Sequence, residues 1–333
     1  MNCEMILGRV LITGGTGTFG NALCKHMLDD NLARTVTIFS RDENKQFHMK
    51  KMLGGKYGPR LKFYIGDVRD EYSLAKAFCD IDVVFHAAAL KHVPVGEEFP
   101  EEVIETNVNG IKNVLDVADL NGVKKVVNLS SDKAVQPVNA YGMTKGLSEK
   151  LVAAHRGKVV GVSLRYGNVM GSRGSVIPLF LEQISEGRLM TVTNKDMTRF
   201  LLPIEEAIRL AVFCAKEDLT KGSLLVIKSP ACTVESLVEA IGRSFNKGWE
   251  SYDLLDVIEV GIRPGEKIHE VLLTKEEVAR GYQVARSSLY VVPSSVDKKH
   301  NIDFSGSVEF TSENTERFSS KQVFDYLQKY KII

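Results

Sequence analysis

Tyr141-Gly-Met-Thr-Lys145 sets a phenol and an ammonium four residues apart, on one face of a helix. A tyrosine that removes a hydroxyl proton needs a depressed pKa, and a nearby cation stabilises its phenolate. Just upstream, Leu129-Ser130-Ser131-Asp132-Lys133 supplies hydroxyls, a carboxyl and a second amine. Ser131 can hydrogen-bond the oxygen that Tyr141 deprotonates, completing a hydroxyl–phenol–ammonium set for hydride transfer. Asp132 and Lys133, directed into the same pocket, add proton chemistry beyond simple oxidation. Lys133 must be partly neutral to act as a base, a state that desolvation or a neighbouring Lys145 would arrange. The plain alternative is a solvated Asp–Lys pair on a loop. Tyr72-Ser-Leu-Ala-Lys76 has the same spacing, but no polar cluster precedes it, and it reads as a surface helix.

A second signal is the turn Gly14-Gly-Thr16-Gly17-Thr18-Phe19-Gly20, a G-G-x-G-x-x-G run directly after an apolar strand. Such a turn needs positive φ, lets the backbone approach a pyrophosphate and packs a helix tightly on its strand. The helix N-terminus then offers unpaired N–H groups and its positive dipole end to the phosphates. The second strand ends in Phe39-Ser40-Arg41, with Asp42 next and Lys45 close by. A hydroxyl followed by a guanidinium suits a 2′-phosphate, so NADP is expected over NAD. Asp42 remains the candidate acid for a ribose 2′-hydroxyl if the cofactor is NAD. Asp67-Val68 would bring a carboxylate and a backbone amide to the adenine edge. Ala87-Ala88-Ala89 places small residues where the cofactor must pass the backbone closely.

Strands are predicted at Arg9–Thr13, Thr35–Ser40, Leu61–Ile65, Asp82–His86, Lys125–Leu129 and Val159–Leu164. Helices are predicted near Gly17–Asp29, Glu71–Phe78, Pro100–Gly122 and Ala140–Gly157. This alternation predicts an α/β fold with a doubly wound parallel sheet, whose chemistry sits at the strands' carboxyl ends. After Arg165 the rhythm changes, with helices predicted at Leu179–Gly187, Ile204–Lys216, Val234–Phe245 and Ser320–Tyr330. Residues 1–165 read as the dinucleotide-binding domain, with some later segments returning to it. Residues 166–333 read as a smaller C-terminal substrate-binding part over the opening of the sheet, its tail polar from Ser294 onwards.

The 333 residues carry 43 basic and 42 acidic side chains, a formal charge of +1. That balance argues against a nucleic-acid binder relying on bulk charge. Apolar stretches are too short to span a bilayer, and the N-terminus lacks a signal peptide's pattern. Cys3, Cys24, Cys79, Cys214 and Cys232 are scattered and never spaced C-x-x-C. They read as apolar fillers in a reducing cytoplasm. No close histidine pair suggests a metal, so no metal site and no membrane association are expected.

Taken in order, GGTGTFG, Asp67-Val68, His86-Ala-Ala-Ala-Leu-Lys-His-Val-Pro94, the Thr-Asn107-Val-Asn-Gly run and YGMTK resemble the extended short-chain dehydrogenases/reductases. Within them the chain is similar to nucleotide-sugar 4,6-dehydratases, above all the soluble inverting UDP-N-acetylglucosamine 4,6-dehydratase (5-epimerising) group of the polysaccharide biosynthesis family. The further signatures are Ser130-Ser-Asp-Lys-Ala134, Arg165-Tyr-Gly-Asn-Val169, Gly171-Ser-Arg-Gly-Ser-Val176, Met197-Thr-Arg-Phe200 and Gly261-Ile-Arg-Pro-Gly-Glu-Lys267. Similarity runs from Gly8 to about Leu273. Dehydratases of the dTDP-glucose type carry Asp-Glu where this chain has Asp132-Lys133. Membrane-anchored retaining relatives share Asp-Lys but typically have Met in place of the tyrosine. Ser131 stands where Thr is common, with the hydroxyl kept.

The resemblance implies a reaction with no net use of NADP. Tyr141 takes the C4 hydroxyl proton as hydride leaves C4, Lys133 takes the C5 proton, and Asp132 protonates the departing C6 hydroxyl. Hydride returns to C6, and C5 is reprotonated from the other face. The product would be UDP-2-acetamido-2,6-dideoxy-β-L-arabino-hex-4-ulose, a precursor for surface glycan or nonulosonic acid synthesis. Lys145 and Asn107 come over as cofactor-site residues; Asn168, Ser172 and Val176 of the Gly171–Val176 loop, Arg199, Arg263 and Glu266 come over as UDP-sugar contacts. Arg263 also fits an ordinary R-P-G-E turn. Lys91 faces the cofactor, the sugar diphosphate or solvent. Family members assemble, so a homo-oligomer is expected. A retaining dehydratase, a nucleotide-sugar C4 epimerase and a non-catalytic NADP-binding regulator remain the alternatives.

Overall fold

Short runs rich in Val, Ile and Leu, bounded by glycine and polar turns, pair as parallel strands because both faces of the sheet are covered by helices. The computed structural model describes residues 7–245, 257–284, 287–294 and 305–333. Its main sheet has nine strands. Six come first in the chain: β1 (Arg9–Thr13), β2 (Thr35–Ser40), β3 (Leu61–Ile65), β4 (Val83–His86), β5 (Lys125–Leu129) and β6 (Val160–Arg165). They lie in the spatial order β3-β2-β1-β4-β5-β6, all parallel. The order reverses between β1 and β4, and there the carboxyl ends open a crevice. Thr13 at the end of β1 pairs with Phe39 and with His86, so three strands release their chains at one level.

Each predicted strand of the first half is present, with shifts of one residue at Val83 and at the ends of Val160–Arg165. The later part of the chain adds three strands that sequence reading did not resolve. Leu224–Ile227 joins β6 in parallel, and Leu289–Val292 and Tyr282–Gln283 follow antiparallel. The sheet thus draws strands from beyond residue 165. Residues 295–304 of the polar tail, and Cys3, lie outside the described residues.

Four helices matter for the site. Helix α1 (Thr18–Asp29) follows the glycine turn, and α2 (Glu43–Tyr57) follows β2. The predicted Pro100–Gly122 helix is a composite, Pro100–Ile104 and Gly110–Leu120 joined by a π-helical stretch, Glu105–Asn109. Such widened turns often mark functional sites. The fourth, α3 (Ala140–Ala154), is capped by Asn139, whose side chain accepts from Gly142 N at 2.7 Å. A Cβ on Gly142 would lie 2.2 Å from the Lys133 carbonyl oxygen, so glycine lets α3 press against the loop after β5.

Under that loop, Arg165 lies between Glu149 (2.6 Å) and Glu277 (2.8 Å). Glu149 also accepts from Ser130 Oγ at 2.5 Å. A buried cation held by two carboxylates ties β6 and α3 to the C-terminal part, fixing the floor beneath the loop.

Candidate active site

The glycine turn has the geometry a dinucleotide requires. Gly14 sits at φ +63°, and a Cβ there would lie 2.8 Å from the Ala88 backbone. Only a bare backbone lets the ends of β1 and β4 approach this closely. Gly17 N donates to Gly14 O at 2.9 Å, closing the turn before α1 begins. Thr16 Oγ1 donates to Ser40 Oγ at 3.3 Å, and Gln46 from α2 holds Ser40 through its oxygen and hydroxyl. Ala87 N and Ala88 N donate to Thr13 O and Oγ1. Phe19 stacks on Tyr166 with ring centroids 6.3 Å apart. The free N-terminus of α1 and this glycine-lined approach fit a pyrophosphate.

At the ribose end, Asp42 caps α2, accepting from Lys45 N at 2.9 Å and pairing with Lys45 Nζ at 2.5 Å. These bonds to Lys45 hold its carboxyl below the usual range. Lys45 is therefore engaged with the cap. Arg41 is about half exposed and lies 3.5 Å from Asp67, which is gripped at 2.8 Å by Arg69. Val68 is buried, and its carbonyl accepts from Asn113 at 3.2 Å.

Asn107, expected among the cofactor contacts, acts as a brace. Its Oδ1 accepts from Leu90 N and its Nδ2 donates to Leu90 O, both at 2.9 Å, and to Thr144 Oγ1 at 3.1 Å. It ties the loop after β4 to α3 from the π-helical stretch, and its amide protons are used up within the chain.

The chemistry-bearing loop follows β5. Asp132 is 1% exposed and Lys133 23%, so the pair lies largely out of water: Asp132 Oδ1 accepts from Ser131 Oγ (2.9 Å) and Lys133 Nζ (3.1 Å). The Tyr141 phenol feels both the Ser131 hydroxyl and the Lys133 charge. Burial, with the Asp132 charge, raises the Tyr141 phenol above its ordinary value, and Ser131 and the Lys133 charge offset only part of that, so the depressed pKa expected of this tyrosine is not found. Lys133 is a cation that acts on the phenol, beside the Lys145 that the sequence pointed to. Lys145 lies in the adjoining buried layer, where burial pushes its amine down to about 8 against the opposing pull of Glu149. Tyr72, by contrast, is exposed with Lys76 stacked 4.1 Å over its ring, an ordinary surface pair.

A further residue stands in the cluster that the sequence did not point to. Glu270, 3% exposed, lies 3.1 Å from Lys133 Nζ. Desolvation opposes the Lys133 charge, but the two flanking carboxylates overcome it and raise its pKa well above the ordinary lysine value. The neutral amine expected of a resting base is therefore disfavoured. Asp132 is driven up, chiefly by burial.

The expected substrate residues divide. Asn168 Oδ1 is buried without a partner among the described residues, as are Asp132 Oδ2 and Glu270 Oε2. Such acceptors can take donors from water or from a ligand. Arg199 is turned inward: its guanidinium donates to Thr198 O and Ile268 O and lies 4.0 Å from Glu270, so it is not open to a diphosphate. Arg263 is exposed and shares a turn with Glu266, whose carboxylate accepts from Arg263 N at 3.3 Å. That turn is docked beside α3 by Asn139 Nδ2 donating to Gly265 O at 2.7 Å.

The loop carrying Ser172 and leading to Val176 reaches the cofactor side. Arg173 Nη2 donates to Thr16 O at 2.6 Å, its N–H donates to Thr18 Oγ1, and its carbonyl accepts from Lys91 Nζ at 3.0 Å. Partial desolvation, with the charges of Arg173 and Lys133, lowers the Lys91 pKa. Arg173 thus straps the second half of the chain over the glycine turn. Losing one charge-assisted contact costs about 1.5–3 kcal/mol, so Arg173→Ala is expected to weaken dinucleotide binding about tenfold or more, read by fluorescence titration. Unchanged affinity would leave Arg173 as a loop tether.

Among the described residues no group of His, Cys, Asp and Glu is arranged to hold a metal, and no helix is long and apolar enough to cross a membrane. Burial pushes the Cys24 thiol up to about 12, the behaviour of an inert core cysteine.

Comparison with known proteins agrees with this geometry. The family model described as "Polysaccharide biosynthesis protein" matches residues 10–292. A UDP-glucose 4-epimerase of Rickettsia bellii is 41% identical, covering 96% of this chain and 97% of its own. The X-ray structure of Pen from Bacillus thuringiensis superposes with a TM-score of 0.90 at 32% identity, covering 99% of each chain. The dTDP-glucose 4,6-dehydratase DesIV of Streptomyces venezuelae, crystallised with NAD, shares the fold at TM-score 0.68 and 23% identity, over 78% of this chain and 86% of its own.

Proposed function

Because this chain belongs to the polysaccharide biosynthesis protein family, extended short-chain dehydrogenases/reductases that modify nucleotide sugars, we propose that it is a UDP-N-acetylglucosamine 4,6-dehydratase that inverts C5. One observation carries the reading: Asp132 and Lys133 turn inward beside Ser131 and Tyr141, where an epimerase needs no such pair. The cofactor is NADP, since the Asp42 carboxylate is spent on the α2 cap while Arg41 stands half exposed beside the end of β2. Gly14, Thr16, Gly17, Thr18, Phe19, Gly20 and Ser40 line its approach. When bound, it supplies a nicotinamide that accepts hydride from the sugar and returns it.

The protein's own groups move the protons. Tyr141 first gives up its phenol proton, a loss that burial opposes and the Lys133 charge favours; the phenolate then takes the C4 hydroxyl proton, and the ketone formed acidifies C5–H. Asp132 and Lys133 rest as an ion pair 3.1 Å apart. Passing one proton across that contact gives a carboxylic acid and a neutral amine with the same proton count. The amine then takes the C5 proton, and the electrons of that bond form C5=C6. The C6–O bond breaks, its oxygen takes the Asp132 proton and leaves as water, and the ion pair is restored. C6 then regains the hydride, and C5 takes a solvent-derived proton on the opposite face, which inverts that centre. Asn168 and the Arg263–Glu266 turn offer contacts to the uridine diphosphate end. Single-copy completeness of the proton groups leaves assembly into a homo-oligomer as a separate expectation.

The second reading, a C4 epimerase, is favoured by the name of the Rickettsia bellii relative. One experiment separates them. Incubated with UDP-N-acetylglucosamine in D₂O without added NADPH, the enzyme is expected to release a 4-keto-6-deoxy sugar carrying deuterium at C5. NMR also reports the configuration there; retention would replace inversion. An unlabelled UDP-N-acetylgalactosamine product would establish the epimerase, and no turnover of any UDP-sugar would point to a regulator.

A further inference from the structure

The sequence offers a pair of proton-handling groups, yet the folded chain brings three together. Glu270 follows the Arg263–Glu266 turn by a few residues and shares no spacing with Asp132 or Lys133. Its backbone is clamped by one residue: Glu270 N donates to Ser312 Oγ and Ser312 N donates to Glu270 O, both at 2.8 Å. Ser312 Oγ is in turn 2.6 Å from Thr198 Oγ1. The carboxylate enters a buried layer with Oε1 3.1 Å from Lys133 Nζ and Oε2 without a partner among the described residues. A buried anion left half-satisfied is costly unless something requires it.

We propose that Glu270 is a positioning residue that fixes the Lys133 amine between two carboxylates and holds its charge, making the proton-handling centre an Asp132–Lys133–Glu270 unit. Asp132 reaches Nζ from one side and Glu270 from the other at equal distances of 3.1 Å, so the lysine's flexible stem is held at both flanks. The groups acting on the unit come from several elements. Arg199 lies 4.0 Å from Glu270, and the Lys267 and Arg199 charges favour the Glu270 carboxylate. Lys267 Nζ itself donates to Val135 O at 2.5 Å, beside the loop of Asp132. Tyr141 and Lys91 each feel the Lys133 charge. With these cations present, Glu270 stays ionised while Asp132, the more deeply buried carboxyl, is the one poised to take a proton.

The chemical consequence rests on the dehydratase reading. As the C5–H bond breaks, its proton arrives on Nζ, and the new ammonium forms next to Glu270. A carboxylate already in place stabilises that charge without reorganising. The negative charge of Glu270 also raises the Asp132 pKa, favouring the carboxylic acid once Lys133 has passed its proton across. The same residue strengthens the base and favours retention of the proton once Asp132 has received it.

The test is a pH titration of Lys133 in the full-length protein carrying its dinucleotide. Lysine is labelled with ¹³C at Cε, and the Lys133 signal is assigned by its loss in Lys133→Arg. In the native protein the signal is expected to stay in its charged position beyond the ordinary lysine midpoint of about 10.4. In Glu270→Gln the midpoint should fall by about one unit or more, and in Glu270→Asp it should return most of the way. A native midpoint at or below the ordinary value overturns the proposal, even if Glu270→Gln does not fold. So does an unchanged midpoint in a folded Glu270→Gln. Turnover gives the second readout: Glu270→Gln should lower kcat about ten- to a hundredfold with KM little changed, and shift the alkaline limb of the profile to lower pH. A loss of rate without that shift would mean a merely structural role and also overturns it. If the native enzyme dehydrates no UDP-sugar, the dehydratase reading falls, while the titration still decides the role of Glu270.

Discussion

Tyr141→Phe is expected to abolish turnover of the nucleotide sugar, by about a thousandfold or more, while leaving the melting temperature and dinucleotide affinity close to native. The ring keeps its packing on α3, and only the hydroxyl that meets Ser131 is lost. General acid–base groups contribute about 10²–10⁴ to rate, and here the loss falls on the first step, so every later one is starved. Placement makes the effect large. Burial and the Asp132 charge drive the phenol towards its neutral form, and the Ser131 hydroxyl and the Lys133 charge are what oppose them. Ser131→Ala should therefore err in the same direction by a smaller factor, because the cation remains. NMR of the sugar product, alongside thermal melting and cofactor titration, separates chemistry from folding. Activity of Tyr141→Phe within tenfold of native would remove the tyrosine from the proton path.

The elements that hold this tyrosine were legible because local patterning and tertiary demand coincide there. A β-branched strand, a glycine turn and a helix opening on a capping residue each satisfy their backbone groups in only one way. Where the two part company, legibility fails. Helix α2 buries Gln46, Met49, Leu53 and Tyr57 at helical spacing, but its charges and paired glycines hide that face among polar neighbours. Leu224–Ile227 is four apolar residues long, too short for periodicity to tell strand from helix. At the site, Ser131, Asp132, Lys133 and Tyr141 are close in sequence, so their meeting could be foreseen. Glu270 and Arg173 arrive from far along the chain, and no spacing rule reports such a contact. Arg199 teaches the converse: an arginine in a family-like motif looked free for a diphosphate, yet its guanidinium caps nearby carbonyls beside Glu270. Lys133 is the sharpest instance. Its residue type suggested a base, but only the positions of two carboxylates reveal that it rests charged.

Asp132→Asn is expected to divide the reaction rather than stop it at the start. The amide is isosteric, and its oxygen can still accept from Ser131 and Lys133 as Asp132 Oδ1 does. What it cannot do is carry a proton to the C6 oxygen from the position of the unpartnered Oδ2. Water release should fall about a thousandfold, while Tyr141 and Ser131 remain able to open the C4 step. Mixing the variant with UDP-N-acetylglucosamine should then raise the near-ultraviolet absorbance of reduced nicotinamide and hold it there, with no 4-keto-6-deoxy product. The same variant bears on the rival reading. A C4 epimerase needs only the hydroxyl–phenol–ammonium set, so its rate would stay within about tenfold of native when Asp132 is neutralised. An active-site carboxyl that is nearly fully buried, raised in pKa and left with an open acceptor has little structural reason to be there. Rapid epimerisation by Asp132→Asn would show that this burial serves the fold alone and would end the case for elimination at C6.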